Sequence, residues 1–116
     1  MSRWRFFSER EAYKLVPDLM YKLDRAREYY DNPIIITSGY RTPEKNHQVN
    51  GVSNSAHLTG KAADIKAPDD TYMRARLAWA LGRAGFERVF VYPRHYHVDV
   101  DNTKPSPAFG QIQYIK

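Results

Sequence analysis

The segment from Ser55 to Asp64 places the strongest constraint on how this 116-residue chain can fold. It reads Ser-Ala-His-Leu-Thr-Gly-Lys-Ala-Ala-Asp and holds His57 and Asp64 seven residues apart, with Gly60 between them. A turn followed by a strand can bring an imidazole and a carboxylate at this spacing to one metal ion. Two side chains do not complete a metal site, so we expect a third ligand from another part of the chain.

The segment His95-Tyr96-His97-Val98-Asp99 is the best source of that third ligand. Side chains alternate between the two faces of a strand, so His95, His97 and Asp99 share one face and the apolar residues between them can join the core. Two histidines and an aspartate on one strand face are difficult to explain by packing alone. We therefore predict that the two segments meet and hold a metal ion.

Helices are predicted where a capping residue or a proline precedes apolar residues at helical spacing. They are a short helix after the capping box Ser8–Glu11, a helix from Pro17 to Tyr30, a short helix over 43–49, and a helix from Asp69 or Asp70 to Ala84. Gly85 suits the position just past the end of the last helix.

Strands are predicted in short β-branched or alternating segments. They lie over 34–37, 62–65, 88–92 and 95–100. The first is a continuous β-branched run, so we expect it to be buried. Residues 101–116 contain two prolines and no clear period, and we expect an extended tail. The order of these elements predicts one domain over 1–116 of the α+β class, with helices packed on a small, mainly antiparallel sheet.

The composition limits both the chemistry and the partners. The chain has no cysteine, so a metal would be bound through nitrogen and oxygen atoms. The formal charge of +5 favours an anionic partner, but the basic residues are scattered and no nucleic-acid motif is present. Nucleic acid is therefore not an expected partner. No segment is suited to span a membrane or to act as a signal peptide, so we expect synthesis in the cytoplasm.

Zinc suits this set of donors, because a catalytic zinc site uses three protein ligands and a water molecule in the fourth position. With His57, Asp64 and His97 as ligands, that water would ionise near pH ~7 and act as a nucleophile. His95 lies on the same face and could take up the proton and pass it to a leaving amine. Asp99 is the competing base, and its alternative role is to fix the orientation and tautomer of a histidine.

The order and spacing of these motifs resemble the M15 family of zinc peptidases. The resemblance lies in Ser55-x-His57-x-x-Gly60-x-Ala62-x-Asp64, preceded by Ser38-Gly39-Tyr40-Arg41 and followed by His97-x-Asp99. It extends roughly from Phe7 to Val100. The family includes D-Ala-D-Ala carboxypeptidases and phage endolysins that cut L-Ala–D-Glu bonds, and the chain is most similar to its small carboxypeptidase-like branch. The resemblance implies the fold that D-Ala-D-Ala peptidases share with the hedgehog signalling domain.

The resemblance also implies roles for individual residues. It implies zinc on the three ligands named above and an Arg41 that faces the substrate, where it could hold a carboxylate or a polarised carbonyl oxygen. Ser55 either hydrogen-bonds the substrate or shapes its loop. Members of the family commonly place a general base two or three residues before the last ligand. Those positions are His95 and Arg94 here, and arginine cannot accept the proton, so His95 takes that role.

These observations predict a zinc peptidase that hydrolyses bonds in peptidoglycan stem peptides. It would act either as a D-Ala carboxypeptidase or as an L-Ala–D-Glu endopeptidase. The alternative is a zinc-containing binding module of the same fold without turnover, because a fold does not by itself determine an activity. The expected place of action is the cell wall, reached after release from the cell as a phage lysin or a virion enzyme.

Overall fold

One mixed sheet organises the computed structural model, which describes residues 2–107 and 111–115. The helices are α1 (Pro17–Tyr30), α2 (Pro43–Gln48), a 3-10 helix (Ala56–Thr59) and α3 (Thr71–Arg83). The strands are β1 (Ile36–Ser38), β2 (Ala62–Lys66), β3 (Arg88–Val91), β4 (His95–Asp99) and β5 (Ile112–Tyr114). Among the described residues the strand order is β1-β2-β4-β3-β5. Only the β3–β5 pair is parallel there, which confirms the predicted α+β class with a mainly antiparallel sheet.

Helices α1 and α3 pack against each other and share one hydrophobic core with the sheet. Pro17 occupies the first turn of α1, where its fixed φ suits the helix and its missing N–H costs no hydrogen bond. Leu19 and Leu23 lie on the buried face and are inaccessible to solvent, and each such burial stabilises the fold by about 2 kcal/mol. Asp70 caps α3 by accepting a hydrogen bond from Met73 N at 2.9 Å. No helix in the described ranges is long and apolar enough to cross a membrane.

The prediction of a short helix after the capping box is wrong, although the capping box itself forms. Ser8 N donates to Glu11 Oε1 at 2.8 Å, and Glu11 N donates to Ser8 Oγ at 3.0 Å. The residues that follow make turns rather than a helix. Lys14 adopts a left-handed conformation with φ of 55°, which ends the segment before Pro17 begins α1. A capping box satisfies backbone N–H groups of the first turn, but a stable helix also needs further hydrogen-bonded turns after it.

The pairing of β2 with β4 sets the geometry of the molecule. Asp64 lies directly opposite His97, and Ile65 lies opposite Tyr96. Ile65 and Tyr96 are inaccessible to solvent in the core, so Asp64 and His97 project from the other face of the sheet. The predicted alternation of β4 is therefore confirmed, and the two segments singled out in the sequence are neighbours in the sheet.

The first predicted strand is displaced and is not a buried strand. β1 begins at Ile36 rather than at Ile34 and forms an edge of the sheet, paired only with β2 in the described residues. Ile35 is 52% exposed, whereas Ile34 is buried. An edge strand meets the core on one face only, so a run of apolar residues cannot all be covered.

The predicted extended tail contains a strand that the sequence did not indicate. β5 pairs in parallel with β3, with Ile112 opposite Val89. Val89 N donates to Gln111 O at 3.0 Å, so the segment satisfies backbone groups that β3 would otherwise leave unpaired at its edge. Three residues give too short a pattern to predict. Residues 108–110 and 116 of the predicted tail lie outside the described residues.

Gly60 fixes the position of the loop that carries His57. It follows the 3-10 helix in a left-handed conformation with φ of 71°. A Cβ atom at this position would lie 2.0 Å from Lys14 O, and Gly60 O accepts a hydrogen bond from Val16 N at 2.9 Å. Both the backbone conformation and the close approach of the segment before α1 therefore require glycine.

We predict that Gly60→Ala lowers the free energy of unfolding by about 1–3 kcal/mol, because the added methyl group meets a backbone oxygen in a strained conformation. Urea unfolding followed by circular dichroism measures the change. The matched control is Gly82→Ala, where the added Cβ would come no closer than 3.4 Å to its nearest neighbour, Gln111 Oε1. This helical substitution should leave stability unchanged or raise it by up to about 1 kcal/mol. Equal losses in the two variants would contradict the prediction.

Candidate metal centre

The structure brings together the three side chains predicted as metal ligands. One ligand atom from each of His57, Asp64 and His97 lies within 4.8 Å of the others. Asp64 and His97 reach this point from adjacent strands, and His57 reaches it from the 3-10 helix. Three residues separated by up to 40 positions in sequence therefore form one cluster.

The loop that carries His57 is built to hold it in place. Ser55 is the N-cap of the 3-10 helix, and its Oγ accepts a hydrogen bond from His57 N at 3.2 Å. His57 is inaccessible apart from 2% of its side chain. Ser55 therefore shapes the loop, and it also lines the cavity beside His97. Its predicted contact with substrate stays a prediction.

The hydrogen bond of one ring nitrogen determines what the other nitrogen of His57 can do. His57 Nδ1 lies 2.7 Å from Gly39 O. A carbonyl oxygen only accepts, so Nδ1 carries the proton and Nε2 presents a lone pair. His57 Nε2 is buried and has no hydrogen-bond partner among residues 2–107 and 111–115, although it lies 3.3 Å from Asp64 Oδ1. A buried nitrogen whose lone pair has no hydrogen-bond partner is available to bind a metal ion, and Asp64 beside it is a second donor.

His97 is oriented in the same way by a carboxylate. Its Nε2 lies 2.7 Å from Asp99 Oδ2, while its Nδ1 faces Asp64 Oδ1 at 3.1 Å. Asp99 Oδ1 in turn accepts from Arg88 Nε at 2.8 Å and from Asp101 N at 3.2 Å. Both oxygens of Asp99 are thus engaged, and the residue is buried. This arrangement matches the alternative role predicted for Asp99, the orientation of a histidine, and leaves it poorly placed to accept a proton as a base.

The charges at the centre favour a cation between the three ligands. Burial acts to raise the pKa of Asp64, but contacts with the His57 and His97 imidazoles outweigh it and hold that pKa below its usual value. Burial acts to lower the pKa of His97, but its contacts with Asp64 and Asp99 raise it overall. If His97 donates from Nε2 to Asp99, its Nδ1 carries a lone pair that faces a lone pair of Asp64 Oδ1, and the two repel each other. A proton or a metal ion at the centre removes that repulsion, so the residues fit a metal.

Arg41 lies beside the ligands rather than apart from them. Its Nη2 donates to Asp64 Oδ2 at 3.1 Å, and its Nε donates to Ser38 Oγ at 3.2 Å. Its Nη1 lies 3.5 Å from Asn46 Oδ1. The Arg41 side chain is 14% exposed, so its contact with Asp64 is not an ordinary surface salt bridge. Its predicted contact with substrate stays a prediction.

His95 is placed near the cluster but is not one of its converging ligands. It lies on the same face of β4 as His97, two residues away. Its ring stacks on Tyr92 with centroids 4.5 Å apart and planes within 9° of parallel. This stacking restrains the imidazole of His95, and its role as a base stays a prediction.

Three residues with supporting roles were not predicted. Gly39 acts through its carbonyl oxygen, which no residue-type pattern reveals. Asn46 is buried on α2 and donates to Val52 O at 2.9 Å while contacting Arg41. Arg88 is opposite Asp99 in the β3–β4 pair. A prediction of the register of this hairpin would therefore have shown that the two charges meet.

Two imidazoles and one carboxylate around a common point are the kind of ligand set that catalytic zinc sites use. All three residues lie within residues 4–101, which match the family model described as Peptidase M15. The chain belongs to the peptidase M15 family, as the motifs predicted. It is 37% identical over 79 residues to the zinc D-Ala-D-Ala carboxypeptidase of Streptomyces albus G. That alignment covers 66% of this chain and 30% of the relative's length.

We predict that His57→Ala reduces the zinc content of the purified protein from about one ion per chain to near zero, because the site loses one of three ligands. Inductively coupled plasma mass spectrometry on folded, dialysed protein measures the content. His47→Ala is the matched control, since His47 is exposed on α2 and outside the cluster. Unchanged zinc in His57→Ala would contradict the assignment of the site.

We predict that Asp99→Asn weakens zinc binding about 10- to 100-fold, because His97 loses the charged acceptor that orients it. Competition with a chromophoric zinc chelator measures the affinity. Asp70→Asn provides an isosteric control, since Asp70 caps α3 and asparagine caps a helix equally well. Equal zinc affinities for the two variants would show that Asp99 does not support His97.

Proposed function

We propose that this chain is a zinc-dependent peptidase that hydrolyses peptide bonds in peptidoglycan stem peptides. The observation that carries the proposal is the buried, unpartnered Nε2 of His57, which points with Asp64 and His97 to one position. The family of the chain and the name of its carboxypeptidase relative support this class of substrate. The formal charge of +5 is compatible with an anionic wall.

His57, Asp64 and His97 would hold the ion and leave a further coordination position for water or substrate. When bound, zinc supplies Lewis-acid chemistry, since it lowers the pKa of a coordinated water to about 7 and polarises a carbonyl group. Gly39 and Asp99 hold the two imidazoles so that little reorientation is needed on binding.

Arg41 is proposed to stabilise the oxygen of the scissile carbonyl. Its guanidinium contacts Asp64 and so lies beside the position where the carbonyl would sit. A donor held in this way by Ser38 and Asn46 requires little reorganisation when negative charge develops on the oxygen.

His95 is proposed as the general base. It lies on the ligand face of β4 and is held against Tyr92. In this role it removes a proton from the attacking water and returns it to the departing amine, so that no net charge is left on the enzyme. Asp99 is the weaker candidate, because Arg88, His97 and Asp101 N already occupy its oxygens.

We predict that His95→Gln lowers kcat by about 100-fold or more while zinc content is unchanged, because the variant loses the proton acceptor but none of the ligands. Steady-state hydrolysis of a stem-peptide substrate and metal analysis of the same sample measure the two quantities. His47→Gln should retain full activity. A fully active His95→Gln protein would contradict the assignment of the base.

The bond that is cut can be identified by mass spectrometry of muropeptides after incubation with the zinc-loaded protein. Loss of a terminal D-Ala would define a carboxypeptidase, and separation of L-Ala from D-Glu would define an endopeptidase. The same incubation with His57→Ala should give no product. Zinc at full occupancy without cleavage of any muropeptide would contradict the proposal and favour a binding module.

A further inference from the structure

Aromatic and arginine side chains alternate along the outer face of α3. They are spaced three or four residues apart, so they share one face of the helix over a length of about 16 Å. The stripe consists of Tyr72, Arg76, Trp79 and Arg83. Tyr72 is 68% exposed and Trp79 is 51% exposed. A single exposed aromatic side chain is ordinary, but a continuous row of them indicates a surface that contacts a partner.

The neighbouring helix α1 widens this stripe into a surface. The rings of Tyr29 and Trp79 lie with centroids 5.9 Å apart and planes at 66° to each other. The guanidinium of Arg83 lies 5.6 Å from the centre of the Tyr29 ring, and that of Arg76 lies 5.9 Å from the centre of the Trp79 ring. A hydrogen bond from Arg25 lowers the pKa of Tyr29. We call these residues the aromatic–arginine surface: Arg25, Tyr29, Tyr72, Arg76, Trp79 and Arg83.

The aromatic–arginine surface carries positive charge that no carboxylate neutralises. Its three arginines form no ion pair within residues 2–107 and 111–115. Glu28 follows Arg25 by about one helical turn, but it pairs with Arg5 at 3.6 Å. Arg76 donates to the carbonyls that end α1, Tyr30 O at 2.9 Å and Tyr29 O at 3.2 Å. A helix dipole offsets only about half a charge at each helix end, so a net positive charge remains.

The position of this surface separates it from the metal centre. Helices α1 and α3 cover the face of the sheet that holds the core, and Asp64 and His97 project from the opposite face. The outer faces of the two helices therefore point away from the ligands. A partner bound there leaves the metal centre open to substrate.

The charge of the surface determines the kind of partner it fits. A symmetric contact with a second copy of the chain would bring the same arginines together, and like charges at an interface repel. An anionic partner matches them instead. A guanidinium binds a phosphate group through two parallel hydrogen bonds, and an exposed aromatic ring packs against the C–H groups of a sugar or polyol. Alternation of the two along a helix therefore matches a polymer that alternates phosphate with carbon-rich units.

We propose that the aromatic–arginine surface binds a wall-attached polymer of polyol or sugar units joined by phosphodiesters. The choice of a wall polymer rests on the proposed peptidase function, whereas the binding itself does not involve the metal centre. The glycan strand of peptidoglycan fits less well, because its carboxylates lie on peptide branches rather than at every repeat of the backbone. Bound in this way, the protein stays on the wall while its metal centre faces the stem peptides.

Isothermal titration calorimetry of the zinc-loaded protein with soluble poly(glycerol phosphate) tests the surface. The double variant Arg25→Gln/Arg83→Gln should bind about tenfold more weakly than wild type, because it loses two exposed guanidinium groups. The matched control is Arg10→Gln/Lys45→Gln, which removes the same net charge from exposed positions outside the surface and should bind within about twofold of wild type. Equal Kd values for the two double variants would overturn the proposal, since net charge alone would then explain the binding.

Tryptophan fluorescence locates the bound polymer. The chain has two tryptophans, of which Trp4 is 6% exposed and Trp79 is 51% exposed. Addition of poly(glycerol phosphate) should change the emission of the wild-type protein, and Trp79→Leu should remove that change. A change of the same size in Trp79→Leu would place the polymer elsewhere and overturn the proposal.

Competing probes and an activity assay complete the test. Single-stranded DNA with the same number of phosphates, or vesicles of an anionic phospholipid, should bind more weakly than poly(glycerol phosphate), and tighter binding of either would overturn the choice of partner. If the polymer binds through this surface but no muropeptide is cleaved, the surface stands and the peptidase function fails. Cleavage of muropeptides by a protein that does not bind the polymer would overturn the surface and leave the peptidase function intact.

Discussion

The register between β2 and β4 is the constraint on which the rest of the site depends. It places Asp64 directly opposite His97 on the face of the sheet that is turned away from the core. A slip of one residue would move one of these side chains to the other face and bury a charge among apolar residues. Ile65 and Tyr96 prevent that slip, because their burial in the core fixes the same register from the opposite side. The hydrophobic packing of the domain therefore also aligns the ligands.

Hydrogen bonds then determine which atoms of these side chains face the centre. The carbonyl of Gly39 fixes the ring of His57, and Asp99, held by Arg88, fixes the ring of His97. Each imidazole thus uses one nitrogen for orientation and keeps the other for a cation. Such an arrangement reduces the conformational freedom lost on metal binding, and it explains why buried polar groups can be tolerated at this position.

Much of this could be predicted from the sequence, for identifiable reasons. The spacing within residues 55–64 and the alternation in 95–99 predicted that the two segments meet at a metal ion, because chain geometry limits where those side chains can point. The resemblance to the M15 motifs implied His97 as the third ligand. The left-handed Lys14 and the edge position of β1 depend on tertiary contacts and left no local signal. The supporting carbonyl of Gly39 was equally invisible, since every residue carries one. The pairing of Arg88 with Asp99 required a hairpin register that the sequence did not specify.

The most direct test of the central claim is a crystal structure of the zinc-loaded protein with anomalous diffraction recorded at the zinc edge. The structure predicts one strong peak at about 2.0–2.2 Å from His57 Nε2, His97 Nδ1 and an Asp64 oxygen. The hydrogen bonds from His57 to Gly39 and from His97 to Asp99 should persist in the loaded protein. A zinc peak at another place, or coordination through His97 Nε2 with loss of its contact to Asp99, would contradict the account.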